Sequence, residues 1–232
     1  IYAFGSYGHR DAISAANWRQ PSTAANRDFS VLLPNQTPNA QNFVPLTDIG
    51  FLPLIETDLD DYAGTIGVRG DIAGWSADFS AGIGHNSFDY EVHDTLNTSF
   101  GPQSQSDFDA GGLRYGQAIF NLDFSREFEV GFAKPLAVAV GGEHRRERFK
   151  IRPGDFQSWG IGPFFQASFT TTAANCAAQQ GVFNATTNVC SFPGRAALVG
   201  AQGFPGIPDA SKTNENRHSW AAYAELDTDP VE

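Results

Sequence analysis

DYAGTIGVRGDIAGWSADFSAGIGHN, residues Asp61 to Asn86, reads as two strands joined by a very short turn. Along the first, Tyr62, Gly64, Ile66 and Val68 fall on one face, and Asp61, Thr65, Arg69 and Asp71 on the other. After Ile72-Ala73-Gly74 the alternation resumes. Trp75, Ala77, Phe79, Ala81 and Ile83 share one face; Ser76, Asp78, Ser80 and Asn86 share the other. Successive side chains of a strand point to opposite sides, so this is a hairpin with one apolar face and one polar, charged face. Such a hairpin is either half of a soluble sheet or a piece of a membrane barrel with its greasy side outward.

The same pattern recurs outward from the hairpin. Ile1 to Arg10 reads as a strand, with Tyr2, Phe4 and Ser6 opposite Ala3, Gly5 and Tyr7. Asp11 to Thr57 reads as a long loop, in which Pro21, Pro34, Pro38, Pro45 and Pro53 prevent a regular element. The second hairpin strand runs on through Phe88, Tyr90 and Val92, which occupy the formerly polar face. Either a bulge or a strand that has left the apolar layer produces that inversion. A loop over His93 to Gly112 follows. A fourth strand, about Leu113 to Arg126, sets Ala118, Phe120, Leu122 and Phe124 against Gln117, Asn121, Asp123 and Ser125. A short turn around Glu127 to Pro135 leads to a fifth, Leu136 to Arg152. Pro153 to Glu215, rich in Gly and Pro (Pro163, Pro193, Pro205, Pro208), is the longest loop. In the last strand, Asn216 to Thr228, Trp220, Ala222, Ala224 and Leu226 alternate with Arg217, Ser219, Tyr223, Glu225 and Asp227.

The connections therefore run long, short, medium, short, long. In an up-and-down barrel, alternate connections lie at the same end, so this order collects tight turns at one end and long loops at the other. Outer-membrane barrels have this asymmetry, with short periplasmic turns and long extracellular loops. With the apolar faces toward lipid, Trp75 belongs to the inner aromatic girdle with Phe124 at its level, and Tyr62 and Trp220 to the outer one. The opposite faces place Arg69, Asp71, Asp78, Gln117, Asn121, Asp123, Glu143, Arg145, Tyr223 and Glu225 toward a lumen.

The run GEHRRERFKIR, Gly142 to Arg152, splits by period: His144, Arg146, Arg148 and Lys150 continue the lipid-facing row. Arg146 lies ten residues past Leu136, which at ~3.3 Å per residue and a tilt near 45° is roughly 23 Å of height, close to the ~25 Å apolar band. Arg146, Arg148 and Lys150 then either meet lipopolysaccharide phosphates or form a solvated strand tip above the membrane.

Composition agrees with an all-β chain. Among 232 residues there are 24 Gly and 20 Phe, and no stretch of helical periodicity. No run of about 18 apolar residues marks a transmembrane helix, but barrel strands need only ~9–11 alternating residues. A net charge of -11 disfavours nucleic acid as a partner. The chain has no Met, opens at Ile1 directly into strand-like sequence and ends in a turn at Thr228-Asp229-Pro230-Val231-Glu232, which reads as an internal excerpt of a longer protein. Cys176 and Cys190, the only cysteines, bracket a short polar loop and are expected to form a disulfide in an oxidising compartment.

Catalytic motifs are not found: there is no nucleophile elbow, no P-loop and no expected cofactor, and the chain does not read as an enzyme. Asp58, Asp60 and Asp61 cluster without the Gly and terminal Glu of a calcium loop, and read as the solvated start of a strand. His9, His85, His93, His144 and His218 lack zinc spacing, so no metal site is expected. Asn35, Asn97 and Asn184 head sequons that arise by chance in Asn- and Thr-rich loops.

Several runs, in this order, resemble the barrel of TonB-dependent outer-membrane receptors. They are Gly74-Trp75 to Phe88-Asp89-Tyr90, Gly111-Gly112-Leu113 to Arg126, Phe128-Glu129-Val130-Gly131-Phe132, Pro135-Leu136 to Gly142-Glu143-His144-Arg145, and Arg217-His218-Ser219-Trp220-Ala221-Ala222-Tyr223-Ala224-Glu225-Leu226. The resemblance covers the strands and tight turns, about half the chain. It implies an antiparallel up-and-down transmembrane β-barrel, 22-stranded, of which residues 1–232 supply about six strands with their long extracellular loops. It further implies a plug domain and TonB box ahead of this segment, C-terminal strands after it, and residence in the bacterial outer membrane among lipid and lipopolysaccharide. Its implied activity is TonB-energised uptake of a scarce nutrient, a ferric siderophore, vitamin B12 or glycan, as small molecule or oligosaccharide. The alternatives are a passive porin, an adhesive surface barrel, or a soluble β-sandwich binding protein.

Overall fold

The computed structural model describes residues 1–37, 39–131, 133–165, 168–178, 181–192 and 194–229. Pro38 and Pro193 of the loops, Phe132 of the resemblance and the closing Pro230-Val231-Glu232 lie outside them. In chain order the strands are β1 (Tyr2–Ala15), β2 (Arg27–Leu32), β3 (Phe43–Pro45), β4 (Leu54–Ile72), β5 (Trp75–His93), β6 (Phe108–Phe128) and β7 (Leu136–Arg152). The short helix α1 (Phe156–Trp159), β8 (Ser168–Thr170), the helix α2 (Ala173–Ala178), β9 (Val182–Asn184), β10 (Val189–Ser191) and β11 (Thr213–Asp227) follow.

The six long strands form one antiparallel sheet in the order β1-β4-β5-β6-β7-β11, each hydrogen-bonded to its neighbours along the chain. This is an up-and-down meander. It does not close: β1 and β11 have no outer neighbour among the described residues. The tight connections lie at one end. Ala73 (φ 50°) and Gly74 (φ 81°) join β4 to β5 in a two-residue loop of the kind that matches strand twist. Residues 129–135 join β6 to β7, and the long loops 16–53, 94–107 and 153–212 lie at the other end.

At the loop end, four boundaries differ from the sequence reading by several residues. β1 runs on to Ala15 instead of stopping at Arg10, and β4 begins at Leu54, so the first loop is shorter than Asp11 to Thr57 and contains the β2–β3 pair, with Pro45 ending β3. β6 begins at Phe108, not Leu113, and β11 at Thr213, not Asn216. One cause serves all four. The ladder between strands continues past the apolar layer, where β1 and β11 are wet on both faces and the start of β6 lies under the loops with Phe108 and Ala110 buried, so hydrophobic alternation no longer marks a strand. At ~3.3 Å per residue the 19-residue β4 and β5 are roughly 60 Å long, about twice what a bilayer requires.

The face inversion after Ile83 has the same origin. β4 and β5 pair without a break from Ile72↔Trp75 to Leu54↔His93. Phe88, Tyr90 and Val92 thus stay on the inner face, where loops cover them: Val92 is buried and Tyr90 stacks on Phe204 at 4.7 Å. The bulge lies elsewhere, on β6 at Ala110, which is skipped between Tyr90↔Gly111 and Glu91↔Asp109. Gly111 adopts φ +100° there, and a Cβ on it would lie 2.6 Å from the Arg152 carbonyl.

The buried residues are concentrated at the loop end. Phe29, Phe43 and Ala197 form one cluster, packed by Leu32 and Phe164; Cys176, Cys190 and Phe192 form another against Phe183. Buried polar groups tie the three long loops together. Thr95 Oγ1 donates to the Gln202 carbonyl (2.7 Å), and Gln202 Nε2 donates to Asn26 Oδ1 (2.9 Å). Asn97 Nδ2 donates to the carbonyls of Gln157 (2.7 Å) and Gly160 (2.9 Å). Asn97, which heads a sequon, is fully buried by this. The expected disulfide is present between Cys176 and Cys190.

Candidate functional site

Register assigns every strand residue to a face, because directly paired residues share one. On the outward face the rungs Val68↔Phe79↔Leu122, Ile66↔Ala81↔Phe120 and Val140↔Ala224 meet Ile72, Ile83 and Leu226. Ile66, Val68, Ile72, Phe79, Ile83, Phe120, Leu122, Val140 and Leu226 are all exposed large apolar side chains. They make one continuous band across five strands. A solvated protein seldom leaves an apolar patch of more than a few hundred Å2 uncovered.

Aromatic rings border this band. At the tight-turn edge Trp75 meets Phe128 edge-on at 5.9 Å. Phe124, expected at the level of Trp75, instead pairs with Ala77 two residues higher, because β6 extends to Phe128. At the loop edge Tyr62 stacks on His85 (4.9 Å), and His144 lies between Trp220 (4.1 Å) and Phe120 (6.3 Å).

Above the band the outward face is charged and divided. Asp11, Asp58, Asp60, Asp89 and Glu91 occupy the β1–β5 side; Arg114, Arg146, Arg148, Lys150 and Arg152 occupy the β6–β7 side. Asp89 bridges the two by pairing with Arg114 and Arg152. Arg148 Nε donates to Asn214 Oδ1 (2.9 Å), while Arg146 and Lys150 have no charged partner among the described residues.

Behind the apolar band the inner face is mainly polar, with Ile119 among its apolar residues. Register brings Arg69, Asp78, Gln117, Asn121, Asp123, Glu143, Arg145, Tyr223 and Glu225 onto it together. Asp78 accepts from Tyr2 (2.7 Å) and from Arg69 Nε (2.9 Å), and Asp123 accepts from Tyr223 (2.9 Å). Arg145 Nε donates to Glu143 (3.1 Å). Glu147 accepts from Tyr115 (2.6 Å) on one oxygen and from Arg217 Nε (2.7 Å) on the other. Sequence reasoning did not single out Tyr2, Tyr115 or Glu147; their roles depend on which rung each occupies, which the ladder alone fixes. Near the tight turns, Asp71, Glu127, Glu225 and Asp227 line a shallow concavity of about 520 Å3.

In the loops, Arg195 lies over the rings of Phe192 (3.6 Å) and Phe164 (5.3 Å), and burial lowers its pKa to about 10. At the loop end of β5, His93 Nδ1 lies 3.0 Å from Asp107, and Nε2 lies 3.2 Å from Glu56 and 3.5 Å from Glu91. No helix among the described residues is long and apolar enough to cross a membrane, which says nothing of strands. Searches against protein-family models, curated proteins and solved structures found no match to this chain.

Proposed function

We propose that this sheet is a wall section of an outer-membrane β-barrel, from a TonB-dependent receptor that takes up a scarce nutrient such as a ferric siderophore, vitamin B12 or a glycan. The observation that carries the reading is the exposed apolar band on the outward face, backed by an inner face rich in charged and hydrogen-bonded side chains. Hydrocarbon is the solvent in which such a band costs nothing, and a water-filled or plugged lumen suits the ion pairs behind it. The sorting of tight turns and long loops to opposite ends supports the same orientation. The edges at β1 and β11, unpaired among the described residues, call for further strands, since open edges do not persist in lipid. Closure at about 22 strands, the plug and the TonB partner rest on the family resemblance.

In this reading Arg69, Asp78, Gln117, Asn121, Asp123, Glu143, Arg145, Tyr223 and Glu225 line the lumen. Arg146, Arg148 and Lys150 meet lipopolysaccharide phosphates at the outer leaflet, supported by the absence of acidic partners for Arg146 and Lys150 among the described residues. Spin labels at Phe79, Phe120 and Val138, in the full-length protein reconstituted in vesicles, test the assignment. Contact with lipid-soluble relaxation agents supports it. Exposure of all three to water, or a particle that dissolves without detergent, refutes it. Charge reversal at Arg146 and Arg148 should weaken lipopolysaccharide binding; unchanged binding removes that partner.

A further inference from the structure

We propose that a groove in the outward apolar band seats one acyl chain of lipid A, the lipid moiety of lipopolysaccharide, with a phosphate of the same lipid held above it by Arg146 and Arg148. The inference rests on the outer-membrane reading and deepens it. A general attraction between basic residues and lipopolysaccharide becomes a site for a single lipid.

The sheet itself makes the groove. On the outward face Gly64 of β4, Ala81 of β5 and Ala118 of β6 carry short side chains or none, and Ile66, Ile83 and Phe120 stand around them. Together they line a shallow concavity of about 370 Å3 with almost entirely apolar walls. It occupies two neighbouring rungs of that face, Gly64↔Ile83↔Ala118 and Ile66↔Ala81↔Phe120. In hydrocarbon, burying apolar surface gains nothing over leaving it among lipid tails. A flat band touches a tail on one side only, whereas a groove touches it on several. The added dispersion contacts are what distinguish a seated chain from its free neighbours.

The charge above the groove matches this occupant. Ala118 pairs directly with Arg146, and Gly116, the next outward residue of β6 toward the loops, pairs with Arg148. Gly116 also pairs with His85, so no side chain fills the space between His85 and Arg148. Neither of the two outward rungs that carry Arg146 and Arg148 holds a carboxylate anywhere across the six strands. The nearest outward acids, Asp60 and Asp89, lie one and two rungs further up, and Asp89 is already engaged by Arg114 and Arg152. A phosphate over Gly116 thus meets two guanidiniums, which take its oxygens as charge-assisted acceptors. A chain hanging from it toward the tight-turn end follows the strands into the groove. The long loops lie outside in this reading, so the groove opens to the outer leaflet, where the phosphorylated lipid is lipopolysaccharide. A wholly apolar occupant would leave both guanidiniums unmatched.

The test titrates bis-phosphorylated lipid A into the full-length protein in detergent, read by native mass spectrometry. Saturable retention of one lipid per protein is expected. Gly64→Leu fills the groove, and a Cβ at that position meets no atom nearer than 4.0 Å, so the added side chain does not strike the backbone. It should lower lipid A affinity several-fold and leave binding of the deacylated, phosphorylated disaccharide unchanged. Arg146→Gln combined with Arg148→Gln should lower both by roughly tenfold or more. Ala222→Leu, on the same face outside the groove, should change neither. In the unmodified protein, lipid A with a photoreactive group on its acyl chains should label Ala81, Ala118 and Phe120 above the rest of the band. Equal lipid A binding by wild type and Gly64→Leu, even labelling of the whole band, or equal retention of phosphatidylethanolamine overturns the proposal. So does a dimer that Gly64→Leu dissociates, which would give the groove to a second copy. Any of these results, with spin labels at Phe79 and Val138 still in contact with lipid, refutes the groove and leaves the membrane reading standing.

Discussion

The indole of Trp220 on β11 stacks on the imidazole of His144 on β7, ring centroids 4.1 Å apart, yet the indole remains 80% exposed. A ring that is held by one neighbour and open on its other face is suited to a lipid–water interface, where its apolar body and its N–H find different surroundings. Single-Trp variants retaining Trp220 or Trp75 should both show blue-shifted emission in vesicles. Lipids brominated near the headgroups should quench each more than lipids brominated at the acyl ends. Deep quenching of both, or emission unchanged between water and vesicles, contradicts the placement of the band.

Leu122 and Asn121 are adjacent on β6 and face opposite ways. Leu122→Lys should destabilise the protein folded in vesicles by about 2–4 kcal/mol, because it buries a charge near the bilayer midplane. Val138→Lys, close to the tight-turn end, should cost only ~0–1 kcal/mol. Asn121→Lys, on the inner face, should cost little. Urea unfolding in vesicles measures all three. A soluble sheet packed on a partner would not show this dependence on depth, so equal penalties at Leu122 and Val138 count against lipid.

Asn97 is fully buried and holds the second loop to the third through the carbonyls of Gln157 and Gly160. Asn97→Ala leaves those carbonyls without their donor, at about 1–3 kcal/mol for a buried group left unpaired. The cost should appear locally. Chymotrypsin should cut at the exposed Phe156 more quickly, while the six-stranded sheet keeps its unfolding midpoint. Unchanged proteolysis would show that the loops are held by other contacts.

His93 latches the second loop to the strands. Burial works against a charged ring, but the bond to Asp107 and the fields of Asp107, Glu56 and Glu91 outweigh it, so the pKa is raised above the ordinary value. Asp107, bonded by Ser106 and then His93, is lowered. A raised histidine pKa contributes stability that is complete below the unfolded value of about 6.5 and is lost as pH rises through the folded value. Amide exchange across residues 94–107, corrected for its intrinsic pH dependence, should therefore accelerate as pH rises from about 6.5 through the raised folded value. His93→Gln should remove the step. A flat profile in the wild type would show that the latch carries no weight.

Much of the sheet was legible because lipid and water, or core and water, impose a contrast with the period of the pleat. Between Tyr62 and Ile83 that contrast gave both strands, their faces and the turn at Ala73-Gly74. It gave the start and end of β7 as well. The contrast vanishes above the apolar layer, and there the reading stopped too early: at Arg10 for a strand that reaches Ala15 with both faces wet, and at Leu113 for one that starts at Phe108 under the covering loops.

The amino-acid order by itself determined the six alternating ribbons, the division of their side chains into a greasy and a wet set, the sorting of short and long connections, and the cysteine pair. Tertiary structure alone decided which rung each residue occupies. That choice joins His9 to Asp58 and Asp60, sets Glu147 between Tyr115 and Arg217, and ties Asn26 to Gln202. Alternation along one strand reports the face of a residue. Only hydrogen bonding between strands reports its neighbour, and that neighbour lies dozens of residues away.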